Sequence, residues 1–338
     1  MEEGMIHRFH RFSQILAVTL VGGSHLATAQ DSSPTPRPLP ENVEMFTVRT
    51  RSEQNRQVPF YLRIPGSYDP ANRKRVHRLL YICPTYNGDA ELVIRGEKGN
   101  EALINLAEER GWFVLSGTFK QQGGEVRDRK ASYYYPEGFS GRAVVEALEQ
   151  VAKKYPVDPN RILMQGLSGG AQFVHRFAIW APDRVTAVAI NSCSWFDAPN
   201  AKCNQVAWLV TIGESDPSFA NTLEFVDQLR EVGAAPLFRS YLGMVHEGSE
   251  AVTRLNLAFL RFYDEHTRHE LGQRRSSLTR PEELLAMKAE AMPFVGDSQD
   301  WKYAPNTEEN RENIAEDSRI FLPSEEIARL WGQEETGE

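Results

Sequence analysis

Between residues 45 and 265 short, almost wholly apolar runs alternate with stretches in which apolar residues recur every three or four positions. The first kind reads as strand and the second as amphipathic helix. Strands are expected at FTVRT (46–50), VPFYLRIP (58–65), LLYIC (79–83), WFVLSG (112–117), RILMQG (161–166), VTAVAINS (185–192), AWLVTIG (207–213) and PLFRSYL (236–242). Helices are expected over 101–111, over 141–154, where Val144, Leu148 and Val151 share a face, and over 219–232 and 249–265. The segment 169–181 is apolar on nearly every side, which predicts a helix buried between layers. This order predicts an α/β chain with a mostly parallel sheet covered on both faces. Beyond about residue 268 the alternation stops. PEELLAMKAEA (281–291) and SEEIARLWG (324–332) suggest two short helices around an irregular polar stretch, with no core strand.

The first forty residues follow a different pattern. His7, Arg8, His10 and Arg11 precede the apolar run 15–21, and Ala27-Thr28-Ala29 supplies small residues for cleavage after Ala29. That order is that of a cleavable export signal, and the run is too short to span a membrane. No stable membrane anchor is expected; the mature protein would be secreted or periplasmic. Pro34, Pro36, Pro38 and Pro40 fall at alternate positions after it, and this stretch reads as an extended linker. The domain reading is therefore 1–29 signal, 30–44 linker, 45–268 catalytic domain and 269–338 an acidic extension. The formal charge of −8 argues against a nucleic-acid partner, and residues 306–338, with ten acidic and three basic side chains, carry −7 of it.

Candidate chemistry centres on Gly166-Leu167-Ser168-Gly169-Gly170, a G-x-S-x-G elbow in which a tight strand-to-helix turn presents the serine. An apolar strand ends at Gly166 and the buried helix begins after Ser168, which is the setting the motif requires. A serine hydroxyl needs a base oriented by a carboxylate, and in such chains the partners follow in the order Ser, acid, His. Asp216 directly follows the strand ending at Gly213, and His246 follows the strand ending at Leu242. Glu214 and Asp197 are rival acids. His175 falls in the buried helix and reads as a packed core histidine, while His266 and His269 lie beyond the last core helix.

The chain resembles the α/β-hydrolases, and VDPNRILMQGLSGGAQFVHRFA (157–178) resembles the elbow of secreted esterases of the polyhydroxybutyrate depolymerase and feruloyl/acetylxylan esterase group. The resemblance covers roughly residues 45–265. It implies an α/β-hydrolase fold, with Ser168 as nucleophile, Asp216 as orienting acid and His246 as base. One departure matters: such enzymes usually carry His-Gly after the strand that ends here at Cys83, whereas this chain reads Pro84-Thr85-Tyr86-Asn87-Gly88. Proline has no N–H to give an oxyanion hole. Gly169 should supply one donor and Thr85 or Tyr86 the other, with Tyr86 favoured.

Cys193 and Cys203, ten residues apart in an exported chain, are expected to form a disulfide, while Cys83 is expected buried and reduced. No zinc spacing and no phosphate loop with a lysine appears, so neither metal nor cofactor is implied. Trp195 and Tyr134, the latter within the run Tyr133-Tyr134-Tyr135, fall in loops on the active-site side and could line a substrate pocket; packing of a long loop is the other reading. The strand ending at Ser192 and the one starting at Ala207 leave only 193–206 between them, which accommodates no inserted lid. The expected function is hydrolysis of carboxylic esters through an acyl-enzyme, on a substrate that could be polymeric. The alternatives are a peptidase similar to the prolyl-oligopeptidases and a non-catalytic hydrolase-fold binding protein. The oligomeric state is not legible.

Overall fold

Strand polarity follows from burial. β3 (Leu79–Cys83), β4 (Phe113–Gly117), β6 (Val185–Asn191) and β8 (Leu237–Tyr241) are buried at every position, and β5 (Ile162–Leu167) and β7 (Ala207–Gly213) at all but one. Continuous apolar strands of this kind suit a parallel sheet covered on both faces. β1 (Val43–Arg49) and β2 (Gln57–Arg63) instead alternate in burial and pair antiparallel. A computed structural model describes residues 37–50, 56–121, 124–272 and 291–333. Leu39–Glu338 forms one compact unit, and the unit before it, Met1–Pro38, is described only at its last two residues. The export-signal reading, residues 30–36 of the proline-rich linker and residues 281–290 of the helix expected at 281–291 lie outside the described residues, and the linker reading to residue 44 runs too far, since Val43 and Glu44 already belong to β1.

The eight strands order as β1-β2-β4-β3-β5-β6-β7-β8, with β2 antiparallel to β4 and the strands from β3 to β8 parallel. α2 (Glu101–Arg110), α3 (Gly141–Lys154), α4 (Gly169–Trp180), α5 (Phe219–Glu231) and α6 (Glu250–Thr267) fall where the periodicity puts them. Ten consecutive residues of α4 are buried, which its all-round apolar sequence requires. A short helix, α1 (Ala90–Ile94), capped by the Asp89 side chain, is not legible as a helix in the sequence because it runs for little more than one turn.

Because β3 and β5–β8 are parallel, their C-terminal ends share one edge. The register sets Cys83 opposite Gly166, Leu167 opposite Asn191, and Gly213 opposite Tyr241. The loops at 84–89, 168, 192–206, 214–218 and 242–249 therefore converge at that edge.

The C-terminal reading needs correction. β9 (Phe294–Asp297), β10 (Lys302–Pro305) and β11 (Arg319–Leu322) form a second, antiparallel sheet ordered β10-β9-β11, followed by α7 (Glu325–Trp331). Val295 is buried, and Ile320, Leu322, Ile327 and Trp331 are buried in the main core. Each strand has four residues and buries at most two, too short a pattern to read as alternation. Trp331 Nε1 donates to the carbonyl of Phe238 on β8 at 2.6 Å. The extension thus covers the outer edge strand of the large sheet, an edge that would otherwise leave backbone groups unpaired.

Candidate active site

Ser168 sits at φ 54°, ψ −116°, between the end of β5 and the start of α4. That left-handed backbone is costly for a non-glycine residue and is held by its surroundings: Ser168 N donates to Asn191 O at 3.0 Å. The turn also requires Gly166, since a Cβ there would lie 2.4 Å from the carbonyl carbon of Gly170.

Asp216 follows β7 in a turn closed by its own N–H to Gly213 O at 3.1 Å. The carboxylate is 4% exposed; Oδ1 accepts from Ser218 N at 2.8 Å and Oδ2 from His246 Nδ1 at 2.7 Å. A carboxylate only accepts, so the imidazole carries its proton on Nδ1 and leaves Nε2 as acceptor. Ser168 Oγ lies 2.9 Å from that nitrogen. The His246 side chain is 35% exposed, so the array opens to solvent on one side. The three residues at the expected positions therefore meet in one hydrogen-bonded line.

Pro84–Gly88 forms a tight turn, Gly88 N donating to Thr85 O at 2.8 Å with Asn87 at φ 51°. This is the geometry in which Asn tolerates positive φ at the third position. The turn presses on the start of α4: a Cβ on Gly169 would lie 2.5 Å from Tyr86 N. The Gly169 amide, as the first of a helix, has no intrahelical acceptor. The backbone nitrogen of Tyr86 therefore lies close to Gly169, the residue next to Ser168. Tyr86 is 46% exposed, and rings run from it through buried Tyr134 (6.2 Å) to Trp195 (5.8 Å). Burial pushes the Tyr134 hydroxyl up to about 12, so it stays a neutral phenol. Tyr133 stacks on Phe119 at 5.7 Å and Tyr135 lies under the guanidinium groups of Arg129 and Arg176, so these two pack the loop.

No protein-family model matches the chain, and a search of curated proteins finds no match. Among solved structures, a thermostable esterase superposes at TM-score 0.51 with 21% identity, covering 60% of this chain and 55% of its own. A ferulic acid esterase superposes at 0.51 with 19% identity, covering 66% of this chain and 97% of its own. Dipeptidyl peptidase 4 of Porphyromonas gingivalis superposes at 0.51 with 16% identity, covering 66% of this chain and 35% of its own. The fold is that of the α/β-hydrolases. This chain matches little more than half the length of the thermostable esterase and about a third of the dipeptidyl peptidase. A fold shared by esterases and peptidases does not choose between the two reactions.

Within the hydrolase fold the rival residues have other partners. Asp197 accepts from Arg176 at 2.8 Å and from Arg129 at 2.7 Å, and Glu214 accepts from Ser240 Oγ at 2.7 Å. His175 is fully buried, with Nδ1 on Ala171 O at 2.8 Å and Nε2 accepting from Asp197 N at 3.3 Å. Burial, with the Arg176 charge beside it, holds its pKa well below the usual value, so it stays neutral. His266 and His269 are both exposed, at the end of α6 and just beyond it.

The disulfide expectation is overturned. Cys193, Cys203 and Cys83 are all buried free thiols. Cys193 Sγ lies 3.4 Å from Trp195 O and 3.6 Å from His175 Nδ1, while Cys203 Sγ accepts from Asn200 N at 3.4 Å and completes the cap of the 3₁₀ turn Ala201–Gln205. Each sulfur is held by its own neighbours. Burial pushes the Cys193 thiol up to about 12 and raises Cys83 and Cys203 as well, which keeps all three protonated. Among the described residues no cluster of His, Cys, Asp or Glu could hold a metal ion, and no helix is long and apolar enough to cross a membrane.

Two supporting residues escape the sequence reading. Ser192, at φ 47°, donates through Oγ to Glu247 O at 2.8 Å and so ties the end of β6 to the loop that carries His246. Gly213 lets that loop cross β7 closely, for a Cβ there would lie 2.0 Å from Met244 O. Neither has a sequence signal, because each matters only through a contact with a distant segment.

Proposed function

We propose that the chain is a serine hydrolase that cleaves carboxylic esters through an acyl-enzyme. The observation that carries this reading is the line from Ser168 Oγ to His246 Nε2 (2.9 Å) and from His246 Nδ1 to Asp216 Oδ2 (2.7 Å). As Ser168 Oγ bonds to the ester carbonyl carbon, its proton passes to Nε2 and the imidazolium is stabilised by the Asp216 carboxylate. The carbonyl oxygen takes up the negative charge facing the amides of Gly169 and Tyr86. Collapse breaks the bond to the alcohol oxygen, which leaves with the proton from Nε2. Water, deprotonated by the same nitrogen, then attacks the acyl-serine and releases the acid and free Ser168.

Three features suit a large or aromatic substrate. The connection from β6 to β7 is short, with one 3₁₀ turn, so it supplies no lid over His246 or Tyr86. The row Tyr86, Tyr134, Trp195 gives an aromatic wall beside the nucleophile. An export signal at residues 1–29 would bring the enzyme to ester groups on polymers that cells cannot import. The likeness to dipeptidyl peptidase 4 favours a second reading, aminoacyl-peptide hydrolysis, although this chain matches only 35% of that protein. Turnover on p-nitrophenyl acetate, methyl ferulate and aminoacyl p-nitroanilides separates the two. Ester turnover that disappears in Ser168→Ala, with the anilides inert, is the expected result; anilide turnover matching the esters would replace the ester reading with the peptidase one.

A further inference from the structure

A cavity of about 540 Å³ adjoins the catalytic edge without containing it. Its wall includes Thr85, Leu167 and Gly248, each one or two residues from Tyr86, Ser168 and His246, but none of those three and not Asp216. Leu92, Val93, Leu103 and Val252 give it an apolar body, and the volume is in the range of small-molecule sites. Four carboxamides line it: Asn100 and Asn191 have partners within the protein, Asn100 Nδ2 donating to Glu97 O at 2.9 Å and Asn191 Oδ1 accepting from Thr211 Oγ1 at 2.7 Å, which leaves Gln165 on β5, 7% exposed, and Asn256 on α6, 4% exposed. Neither side chain is hydrogen-bonded within the described protein, and Asn256 Oδ1 is a buried oxygen without a partner. Leaving the buried Asn256 oxygen unsatisfied carries a free-energy cost that a ligand would recover. The charged residues of the wall, Asp89, Lys98 and Glu250, all reach solvent, and none faces the cavity from a buried position. Asp89 caps α1 and Glu250 pairs with Arg254 at 2.7 Å.

We propose that this cavity is a binding site for an uncharged small molecule with an apolar body and a hydroxyl group that contacts Gln165 and Asn256. An ion would be desolvated there without a buried counter-charge. A purely apolar ligand would leave both carboxamides unpaired. A hydroxyl both donates and accepts, as a carboxamide does, and satisfies either orientation of the two amides. The site stands independently of the hydrolase reading. Its occupant would press on the turn bearing the Tyr86 amide, on Leu167 beside the nucleophile and on the start of the helix that follows His246.

The test is calorimetric titration of the full chain with three probes of nearly equal shape: 4-methylphenol, toluene and 4-methylbenzoate. 4-Methylphenol should bind one to one with Kd on the order of 1 mM or tighter and at least fivefold more tightly than the other two. Gln165→Leu and Asn256→Leu should each weaken it about fivefold, the loss expected for one hydrogen bond. Leu103→Trp should fill the space and abolish binding with the fold retained by circular dichroism; should that variant not fold, the two leucine variants decide. Toluene or 4-methylbenzoate binding as tightly as 4-methylphenol would overturn the ligand class. Binding unchanged in both leucine variants, or no saturable binding below about 10 mM, would overturn the site. Ester turnover is measured separately, so failure of the catalytic reading leaves this result untouched.

Discussion

Two buried aspartates stand at opposite ends of the same sheet, and they are partnered in opposite ways. Asp216, past the C-terminal end of β7, faces an imidazole whose far nitrogen opens to a serine and to solvent. Asp264, near the end of α6, faces Arg78 at the N-terminal end of β3, with both side chains fully buried. Asp264 Oδ1 accepts from Arg78 Nε at 3.0 Å and Oδ2 from Trp112 Nε1 at 2.9 Å, with Arg268 also donating. Arg78 donates further to Arg161 O and Thr267 Oγ1, both at 2.6 Å. The lower network centres on a cation that does not titrate. The upper one ends on a hydroxyl carried by strained backbone. The same residue type, buried both times, thus faces a fixed guanidinium at one end of the sheet and an imidazole hydrogen-bonded to a serine at the other.

The contrast is sharpest in activity. Ser168→Ala or His246→Ala should lower kcat by about 10⁵–10⁶, and Asp216→Asn by tenfold to a hundredfold less, because that residue orients the imidazole without bonding to substrate. Steady-state kinetics on an aryl ester measures all three, alongside thermal unfolding to show that the fold persists. Near-full activity in Asp216→Asn would mean that the carboxylate is a structural neighbour like Asp264, and the comparison would fail.

The converse applies to the lower network. Arg78→Met leaves the Asp264 carboxylate buried without its main counter-charge, a change that typically costs about 3–5 kcal/mol. Denaturant unfolding should register that loss while kcat per folded molecule stays unchanged. A lowered kcat in the folded fraction would mean that the two ends are coupled through the sheet.

The C-terminal extension provides a third anchor of similar size. Trp331→Ala removes a fully buried indole that packs on Trp301 at 5.1 Å and bonds to Phe238 O on β8. The expected loss is about 3–5 kcal/mol. Removing residues from Arg280 onward should unfold or aggregate the chain rather than merely trim it, since the edge of β8 would be uncovered. A truncated chain with unchanged Tm would show that the extension is peripheral to the fold.

How much of this was legible depended on the range of the signal. Strands such as 185–192 and helices such as α3 were readable because each buries a long, regular face, and Ser168, Asp216 and His246 because a motif and a chain order mark their positions. The contacts that hold the site were not. Ser192 and Gly213 act on the His246 loop from about thirty residues away or more. The strands of the extension, burying at most two residues each, fall below the length at which alternation differs from chance. The cysteines misled because spacing says that two sulfurs could meet, while burial and local caps decide whether they do. Asp264 gave no signal either, for a lone aspartate in an amphipathic helix reads as a solvated residue until Arg78 is placed against it.

The smallest expected effect separates two histidines that look alike in sequence. His175 is buried neutral, its folded pKa held well below the ordinary value of about 6.5 by burial and by Arg176. The unfolded chain therefore binds a proton below about pH 6.5 that the folded chain refuses, and stability must fall as pH falls through that region. The slope is about 1.4 kcal/mol per pH unit for one proton. His77, also lowered by burial, adds in the same direction. Between about pH 6.5 and 5 the slope of unfolding free energy against pH should therefore drop by up to one proton in His175→Asn relative to the parent, while His266→Asn, at an exposed position, should leave it unchanged. Equal slopes in parent and His175→Asn would mean that this imidazole takes up a proton in the folded state after all, and that the buried helix behind the nucleophile is a second titrating site rather than inert support.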